Sequence, residues 1–333
     1  MFESVNFTYN NEKDETIMKL LLDLILLVVG FCALLKGADW LVDGAVGFAK
    51  KFHIPTLVIG MTIVAFGTSA PEAAVSISAA VAGNNAISLS NVVGSNIFNL
   101  LVVAGLCGAI KPLPIQRIAV TRDYPFHLLI TAVLIVLCLD NVLNSGQMML
   151  SRADGLILLM FMGIYMYINI NDGRQGDNEE NTDKEFSFIK SLSLFLIGLA
   201  CVIVGGDVVV DSSTGIARAI GISDTLIGLT IVALGTSLPE LMTSIVASKK
   251  GEVDLAWGNV VGSNIFNILF VLGISSAVHP FPIEPVAIFD LLFLFVISLA
   301  VYFATMRSKR LGRSVGISMI AAYAIYTVYI IMR

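Results

Sequence analysis

The stretch IGMTIVAFGTSAPEAAVSISAAV, residues 59–81, decides how this chain folds. Nearly every residue in it is apolar or small, yet Glu72 lies in its middle, directly after Pro71. A carboxylate at the centre of a bilayer costs on the order of 3 kcal/mol on insertion scales. If this stretch crosses a membrane, Glu72 needs a partner that offsets its charge.

The composition indicates a membrane protein. Apolar residues make up 56% of the 333 residues and charged residues 14%, against about 45–50% and about 25% in soluble domains. Ten stretches approach the roughly 20 apolar residues with which a helix crosses a bilayer. They are residues 17–38, 56–82, 86–109, 124–140, 153–170, 188–206, 224–248, 254–277, 286–305 and 314–331. The sequence therefore predicts an all-α integral membrane protein with ten transmembrane helices.

Lys and Arg are distributed unevenly over the segments between these stretches. Fourteen lie on one set of alternate segments and five on the other set. Because cytoplasmic loops carry the excess of Lys and Arg, we expect both termini outside the cell and the central linker inside. The predicted location is the inner (plasma) membrane, with the lipid bilayer as surroundings. Neither a nucleic acid nor an obligatory protein partner is indicated.

The sequence contains an internal repeat at an offset of 168 residues. Residues 59–72 (IGMTIVAFGTSAPE) and 227–240 (IGLTIVALGTSLPE) are identical at 11 of 14 positions. NVVGSNIFNL at 91–100 likewise matches NVVGSNIFNI at 259–268 at 9 of 10 positions. Each copy holds five candidate spans, an odd number, so the second copy must cross the membrane in the opposite sense. Inverted repeats of this kind are typical of secondary transporters.

The repeat defines three regions. We expect a first five-helix repeat over residues 1–170 and a second, inverted repeat over residues 188–333. Residues 171–187 between them are rich in Asp, Glu, Asn and Gly, a composition typical of a flexible linker.

The second span of each repeat is predicted to be broken at its proline. Pro71 and Pro239 lack the N–H group that a helix interior uses, and their rings press on the carbonyl four residues earlier. Some carbonyls over 65–69 and 233–237 are therefore expected to be free, which at membrane depth is tolerated only around a cavity or inside protein. Hydroxyl groups lie at the same level, and they belong to Thr68, Ser69, Thr236 and Ser237.

The third and eighth spans carry GSN triplets at residues 94–96 and 262–264. These small residues predict a second pair of broken helices. Ser95 and Asn99 are four residues apart, as are Ser263 and Asn267, so each pair lies on one helix face. The asparagine of each triplet points away from that face and need not join its partners.

The second, third, seventh and eighth spans (helices 2, 3, 7 and 8 of the ten predicted) are thus expected to surround an ion site at the midplane of the membrane. The side chains that inversion brings together offer only oxygen-containing groups, with no Cys or His among them. Hard cations such as Ca²⁺ and Na⁺ prefer oxygen ligands. Two carboxylates, Glu72 and Glu240, offset the charge of one Ca²⁺. The four cysteines lie within apolar spans and indicate neither a disulfide nor a zinc site.

The paired GTSxPE and GSNIFN segments resemble the α-repeats of the Ca²⁺/cation antiporter superfamily. The resemblance covers both repeats and is greatest to the prokaryotic Na⁺/Ca²⁺ exchanger branch. It implies that Glu72 and Glu240 are the central Ca²⁺ ligands, helped by the carbonyls of Thr68 and Thr236. It also implies that Asn99 and Asn267 flank the middle site. The implied Na⁺ ligands are Ser69, Ser237, Ser95, Ser263 and the carbonyls of Ala65 and Ala233.

One position departs from part of that superfamily. Some relatives carry Asp where this chain has Asn267. The loss of a third carboxylate argues against co-transport of K⁺.

The predicted function is secondary antiport of Na⁺ against Ca²⁺ by alternating access, without enzymatic chemistry or a cofactor. A Ca²⁺/H⁺ antiporter using the same two glutamates is the main alternative, and an intramembrane protease or a channel is a remote one. The first and sixth spans are expected to slide over a more rigid core on Gly37, Gly44, Gly205 and Gly206. The acidic pairs Asp39/Asp43 and Asp207/Asp211 are interpreted as interfacial charges.

Overall fold

The structure, a computed structural model, describes residues 2–83, 86–143, 148–174, 187–222, 231 and 233–332. These residues are almost entirely helical. Four two-residue strands complete the regular structure of the described part: β1 (Leu113–Pro114), β2 (Met149–Leu150), β3 (Phe281–Pro282) and β4 (Arg310–Leu311).

Twelve helices follow one another in these ranges, some of them with an internal π-helical segment. The first six are α1 (Phe2–Phe52), α2 (Thr56–Ile59, Gly60–Val64 and Ala65–Thr68), α3 (Ala70–Val81), α4 (Ala86–Phe98, Asn99–Val103 and Ala104–Ile110), α5 (Ala119–Asp123 and Tyr124–Leu143) and α6 (Arg152–Arg174). The other six are α7 (Phe188–Ala219), α8 (Ala233–Gly235), α9 (Leu238–Lys250), α10 (Val253–Phe266, Asn267–Leu272 and Gly273–Val278), α11 (Pro285–Ser308) and α12 (Arg313–Met332).

Eight of these helices are long and apolar enough to cross a membrane, and nine spans result when the bent pair α2–α3 is counted as one. They correspond to nine of the ten predicted spans. The remaining prediction, 224–248, includes residues 224–230 and 232, which lie outside the described residues. The first and sixth spans are longer than predicted, since α1 continues to Phe52 and α7 to Ala219.

The second span bends at its proline, as predicted. The axes of α2 and α3 differ by 48°, and Ser69 between them has φ −81° and ψ 7°. Pro71 lies in the first turn of α3, where its missing N–H removes no helical bond. The second copy repeats this arrangement, because Ser237 has φ −92° and ψ 4° and Pro239 lies in the first turn of α9.

The predicted breaks in the third and eighth spans are wrong. Both GSN triplets, at 94–96 and 262–264, lie inside regular α-helix. The helices deviate only afterwards, in π-helical segments that begin at Asn99 and Asn267. Gly262 serves close packing instead, because a Cβ atom there would lie 2.7 Å from the Cα atom of Met61 in α2. Its small size lets two helices approach without interrupting either one.

Helices α1 and α7 pack antiparallel along a series of glycines. A Cβ on Gly37 would lie 2.9 Å from the Gly198 carbonyl oxygen, and a Cβ on Gly205 would lie 3.0 Å from that of Gly30. Small residues allow membrane helices to approach closely enough for backbone contact. Gly37, Gly44 and Gly205 therefore lie between the two long helices, not against the core as expected. Gly206 alone of the predicted set faces the core, opposite Pro239.

The contacts between the two halves are reciprocal. Strand β1 of the first half pairs with β4 of the second, and β3 of the second half pairs with β2 of the first. Most of the buried apolar side chains form one cluster that includes residues of α4, α5, α6 and α10, while a smaller cluster joins α1 and α7. The buried polar site lies beside the larger cluster.

The glycine contact gives a test of this packing. Gly198→Ala places a methyl group against the backbone of α1 and should destabilise the fold by about 2 kcal/mol through overpacking. Thermal unfolding of the purified protein in detergent measures the loss. Gly163→Ala is the matched control, because a Cβ there meets no atom within 4 Å, so its melting temperature should stay equal or rise slightly. Equal melting temperatures for the two variants would contradict the close contact.

Candidate ion-binding site

Two glutamates lie at the centre of the buried polar region. Glu72 is in the first turn of α3 and Glu240 in the first turn of α9. Both side chains are 0% exposed. The bend before each helix directs these first turns into the protein, so that the glutamates of the two halves face each other's serines.

Each glutamate accepts a hydrogen bond from the opposite repeat. Ser237 Oγ donates to Glu72 Oε1 at 3.0 Å, and Ser69 Oγ donates to Glu240 Oε1 at 3.0 Å. Ser95 Oγ makes a longer contact of 3.4 Å with Glu72 Oε1. The two bends therefore meet, and each carboxylate depends on a residue about 170 positions away in the sequence.

Several other oxygens of the cluster are buried without a hydrogen-bond partner within the described part of the chain. Burying such a group without compensation costs roughly 1–3 kcal/mol, and more when the group is charged. These oxygens are Glu72 Oε2, Glu240 Oε2, Asn99 Oδ1, Asn267 Oδ1 and Thr236 Oγ1. A cation bound by Glu72 Oε2 and Glu240 Oε2 would supply the interaction that these two oxygens lack.

The acidic content of this cluster is limited to two carboxylates. Over the residues that the structure describes, no group of three or more His, Cys, Asp and Glu side chains is placed to hold a metal. Any cation here would therefore be bound by Glu72 and Glu240 together with neutral oxygens. Such a ligand set suits Ca²⁺ and Na⁺ and does not suit a soft metal.

The expectation of free carbonyls holds only in part. The Ala65 carbonyl accepts a bond of 3.0 Å from the Ser69 N–H group and a contact of 3.4 Å from the Thr68 hydroxyl. In the second half the N–H group of Ser237 bonds to Leu234 O and not to the carbonyl of Ala233. The two halves thus differ in how the backbone turns before the bend.

Asn96 and Asn264, which were expected to lie off the Ser95 and Ser263 helix faces and not to need a place in the cluster, contact each other and Asn267. Asn96 Nδ2 donates to the Asn264 carbonyl at 3.1 Å, and Asn264 Nδ2 donates to the Asn96 carbonyl at 3.2 Å. Asn267 Nδ2 then donates to Asn96 Oδ1 at 3.1 Å. The pair joins α4 to α10 and holds the amide nitrogen of Asn267, whose oxygen has no hydrogen-bond partner among the described residues.

A second pair of asparagines, Asn91 and Asn259, contacts the main chain of the two glutamates and was not predicted from the sequence. Asn91 Nδ2 donates to Ser76 Oγ at 2.9 Å, and Asn259 Nδ2 donates to Ser244 Oγ at 3.0 Å. Each amide also reaches the main-chain oxygen of its repeat's glutamate, at 3.3 and 3.4 Å. The signal was available, since both asparagines and both serines are repeated at the 168-residue offset.

An ion-pair cluster joins α1 to α9 at one end of the molecule. Lys250 Nζ lies 2.6 Å from Asp39 Oδ1 and 2.7 Å from Asp43 Oδ1. At the corresponding position of the first repeat the chain has Ala82. The interpretation of Asp39 and Asp43 as merely interfacial is therefore incomplete, because they connect a long outer helix to the helix that carries Glu240.

Comparison with known proteins identifies the family. Residues 22–171 and 190–332 match the family described as sodium/calcium exchanger protein. The chain belongs to this family. It is 34% identical to the inner membrane protein YrbG of Escherichia coli over 320 residues, which cover 92% of this chain and 96% of YrbG. It is 30% identical to the sodium/calcium exchanger MaX1 of Methanosarcina acetivorans over 80% of this chain and 85% of MaX1.

The fold is also that of a solved exchanger. The structure of the sodium-calcium exchanger NCX_Mj soaked with 10 mM Na⁺ and zero Ca²⁺ aligns with a TM-score of 0.81 and 36% identity. The alignment covers 92% of this chain and 98% of that one. The prediction of an all-α membrane protein is therefore confirmed. The chain is a membrane transport protein and not an enzyme, as expected, and its family works without a cofactor.

Proposed function

We propose that this protein exchanges Na⁺ for Ca²⁺ across the membrane by alternating access. One observation carries the proposal: two fully buried glutamates, one from each half, each keep a carboxylate oxygen without a partner among the described residues. A bound cation is the natural partner for such a pair inside a membrane. Membership of the sodium/calcium exchanger family supports the same conclusion.

The proposed ligands are the groups that surround these glutamates. Glu72 and Glu240 bind Ca²⁺ between them, with the carbonyls of Thr68 and Thr236, and Asn99 and Asn267 flank that site. Na⁺ is bound at the same cluster by the remaining oxygens, which belong to Ser69, Ser237, Ser95, Ser263, Ala65 and Ala233.

Exchange follows from the charge of the site. One Ca²⁺ already offsets both carboxylates, and so do Na⁺ ions bound in its place, so the two loads compete. An unloaded site would leave two unpaired charges in a low dielectric, where each costs several kcal/mol. The empty protein therefore does not move its site across the membrane, and one load is exchanged for the other.

The proposed topology has ten transmembrane helices in two inverted repeats, residues 1–170 and 188–333, joined by the linker 171–187. The reciprocal contacts between the halves support this arrangement, because Ser69 meets Glu240 as Ser237 meets Glu72. The distribution of Lys and Arg supports external termini and a cytoplasmic linker.

The role of the glutamates is tested by charge removal. Glu72→Gln and Glu240→Gln should each lower Ca²⁺ uptake into proteoliposomes by about 100-fold or more, because one remaining carboxylate cannot offset a divalent ion; this corresponds to about 2.7 kcal/mol. Glu284→Gln, at an exposed position before α11, is the control and should leave uptake unchanged. Full transport by both site variants would refute the proposed site.

The counter-ion is tested by separate gradients. Protons could also satisfy the unpartnered carboxylate oxygens, which keeps Ca²⁺/H⁺ exchange as the second candidate. If Na⁺ is the counter-ion, an outward Na⁺ gradient should drive accumulation of ⁴⁵Ca²⁺ at constant pH, and a pH gradient without Na⁺ should not. The opposite pattern would assign proton exchange, and flux that needs neither gradient would indicate a channel.

The ion pairs of Lys250 are expected to hold the cytoplasmic end closed. Their side chains are partly exposed, so the bonds to Asp39 and Asp43 stabilise the closed end by about 1 kcal/mol, or roughly fivefold in population. Lys250→Met should therefore raise the rate at which a thiol reagent on the cytoplasmic side labels a cysteine introduced by Ser248→Cys. Labelling of the same protein without that cysteine gives the background.

Lys249→Met is the matched control for this measurement, because the neighbouring Lys249 side chain is exposed. It should leave the labelling rate at the value of the parent. Equal rates in the two methionine variants would show that the ion pairs do not restrict access.

A further inference from the structure

The Thr68 hydroxyl contacts two side chains of the opposite repeat. Its hydroxyl donates to Asn259 Oδ1 at 3.1 Å, and its Oγ1 lies 3.4 Å from Ser263 Oγ. Thr68 and Asn259 are both 0% exposed. The shortest of these contacts, to Asn259, fixes Thr68, whose main-chain carbonyl is a proposed Ca²⁺ ligand, relative to the opposite repeat.

The amide of Asn259 is itself fixed. Its Nδ2 atom donates to Ser244 Oγ at 3.0 Å and reaches the Glu240 carbonyl at 3.4 Å. Because the Nδ2 atom of Asn259 faces Ser244 and Glu240, its Oδ1 atom faces Thr68. One asparagine therefore links the residue before the first bend to the backbone that carries the glutamate of the second repeat.

The backbone around this link is closely packed. A Cβ on Gly258 would lie 2.7 Å from the Leu57 carbonyl, and a Cβ on Gly60 would lie 2.7 Å from the Leu255 carbonyl. Helices α2 and α10 therefore approach to backbone contact just before Thr68 and Asn259. Neither residue can change its distance from the other without separating these helices.

The first repeat lacks the equivalent contact in this conformation. Asn91 makes the same donations to Ser76 and to the Glu72 carbonyl. However, within the described residues the Thr236 hydroxyl, which corresponds to that of Thr68, makes no hydrogen bond with Asn91. Asn91 is also partly exposed, whereas Asn259 is 0% exposed.

We propose that Asn259 is a positioning residue that orients Thr68 for the cation, and that Asn91 does not orient Thr236 in this conformation. The inference rests on the proposed function, because it concerns the Ca²⁺ site formed with Glu72 and Glu240. Partners that orient the ligands of a metal commonly change its affinity by 10–100-fold when they are removed.

A double-mutant cycle on the full-length protein tests the link. Asn259→Ala should weaken Ca²⁺ binding, measured by calorimetry with CaCl₂, by about tenfold or more. With Thr68→Val already present, the same change should weaken binding by less than about twofold, because residues that act through one contact are not additive. In flux assays the apparent KM for Ca²⁺ should rise while the maximal flux remains within about twofold of the parent.

Asn91→Ala provides the matched control cycle. Its effect on Ca²⁺ affinity should be the same with and without Thr68→Val, because it has no contact with Thr68. If Asn259→Ala does not fold, Asn259→Ser enters the same cycle in its place. Additive effects of the Asn259 and Thr68 variants, or an unchanged affinity in Asn259→Ala, would overturn the inference.

The proposed function fails in a different way. In that case the unmodified protein would bind no Ca²⁺ and transport none, and no cycle would be measured. A parent that binds and exchanges Ca²⁺, combined with additive variants, would reject only the role of Asn259.

Discussion

Two carboxylates buried among apolar helices are the constraint on which the rest of this structure depends. Glu72 and Glu240 are inaccessible to solvent, and in the part of the chain that the structure describes one oxygen of each has no hydrogen-bond partner. A buried charge is stable only when it is paired or binds a metal. In the proposed site, the bends at Ser69 and Ser237 and the hydroxyls and amides around them meet that requirement together with a cation.

The two halves share the site and do not contribute separate sites. Each glutamate accepts its hydrogen bond from the serine of the other repeat, and Asn96 and Asn264 exchange bonds between the central helices. Such reciprocal contacts explain why a duplicated chain gives one central cluster. They also explain why small differences between the halves matter, since Lys250 has no counterpart at Ala82.

The central helices and the two long outer helices are built differently. Helices α4 and α10 are largely buried and joined by side-chain hydrogen bonds, whereas α1 and α7 contact each other through glycines and expose apolar side chains. Transport by alternating access would therefore keep the central site intact and move the outer pair. The Lys250 ion pairs connect the outer helix α1 to α9, the helix that carries Glu240.

The sequence by itself determined the features that depend on local chemistry. Apolar length predicted the spans, and the missing N–H of Pro71 and Pro239 predicted the bends. The 168-residue repeat drew attention to Glu72, Glu240 and their serines, but not to Asn91 and Asn259. The breaks predicted at the GSN triplets were wrong, because a glycine in a helix can serve close contact with a neighbour as well as interruption.

Only the tertiary structure decided which side chains meet. Ser69 with Glu240, Asn96 with Asn264 and Thr68 with Asn259 are separated by 168–191 residues. No local pattern specifies these partners, since each contact depends on how closely two distant helices pack and on the direction in which an amide is already held. Gly37 and Gly205 lie between α1 and α7 for the same reason. Their spacing in the sequence was equally compatible with a contact between these two helices and with a contact to the core.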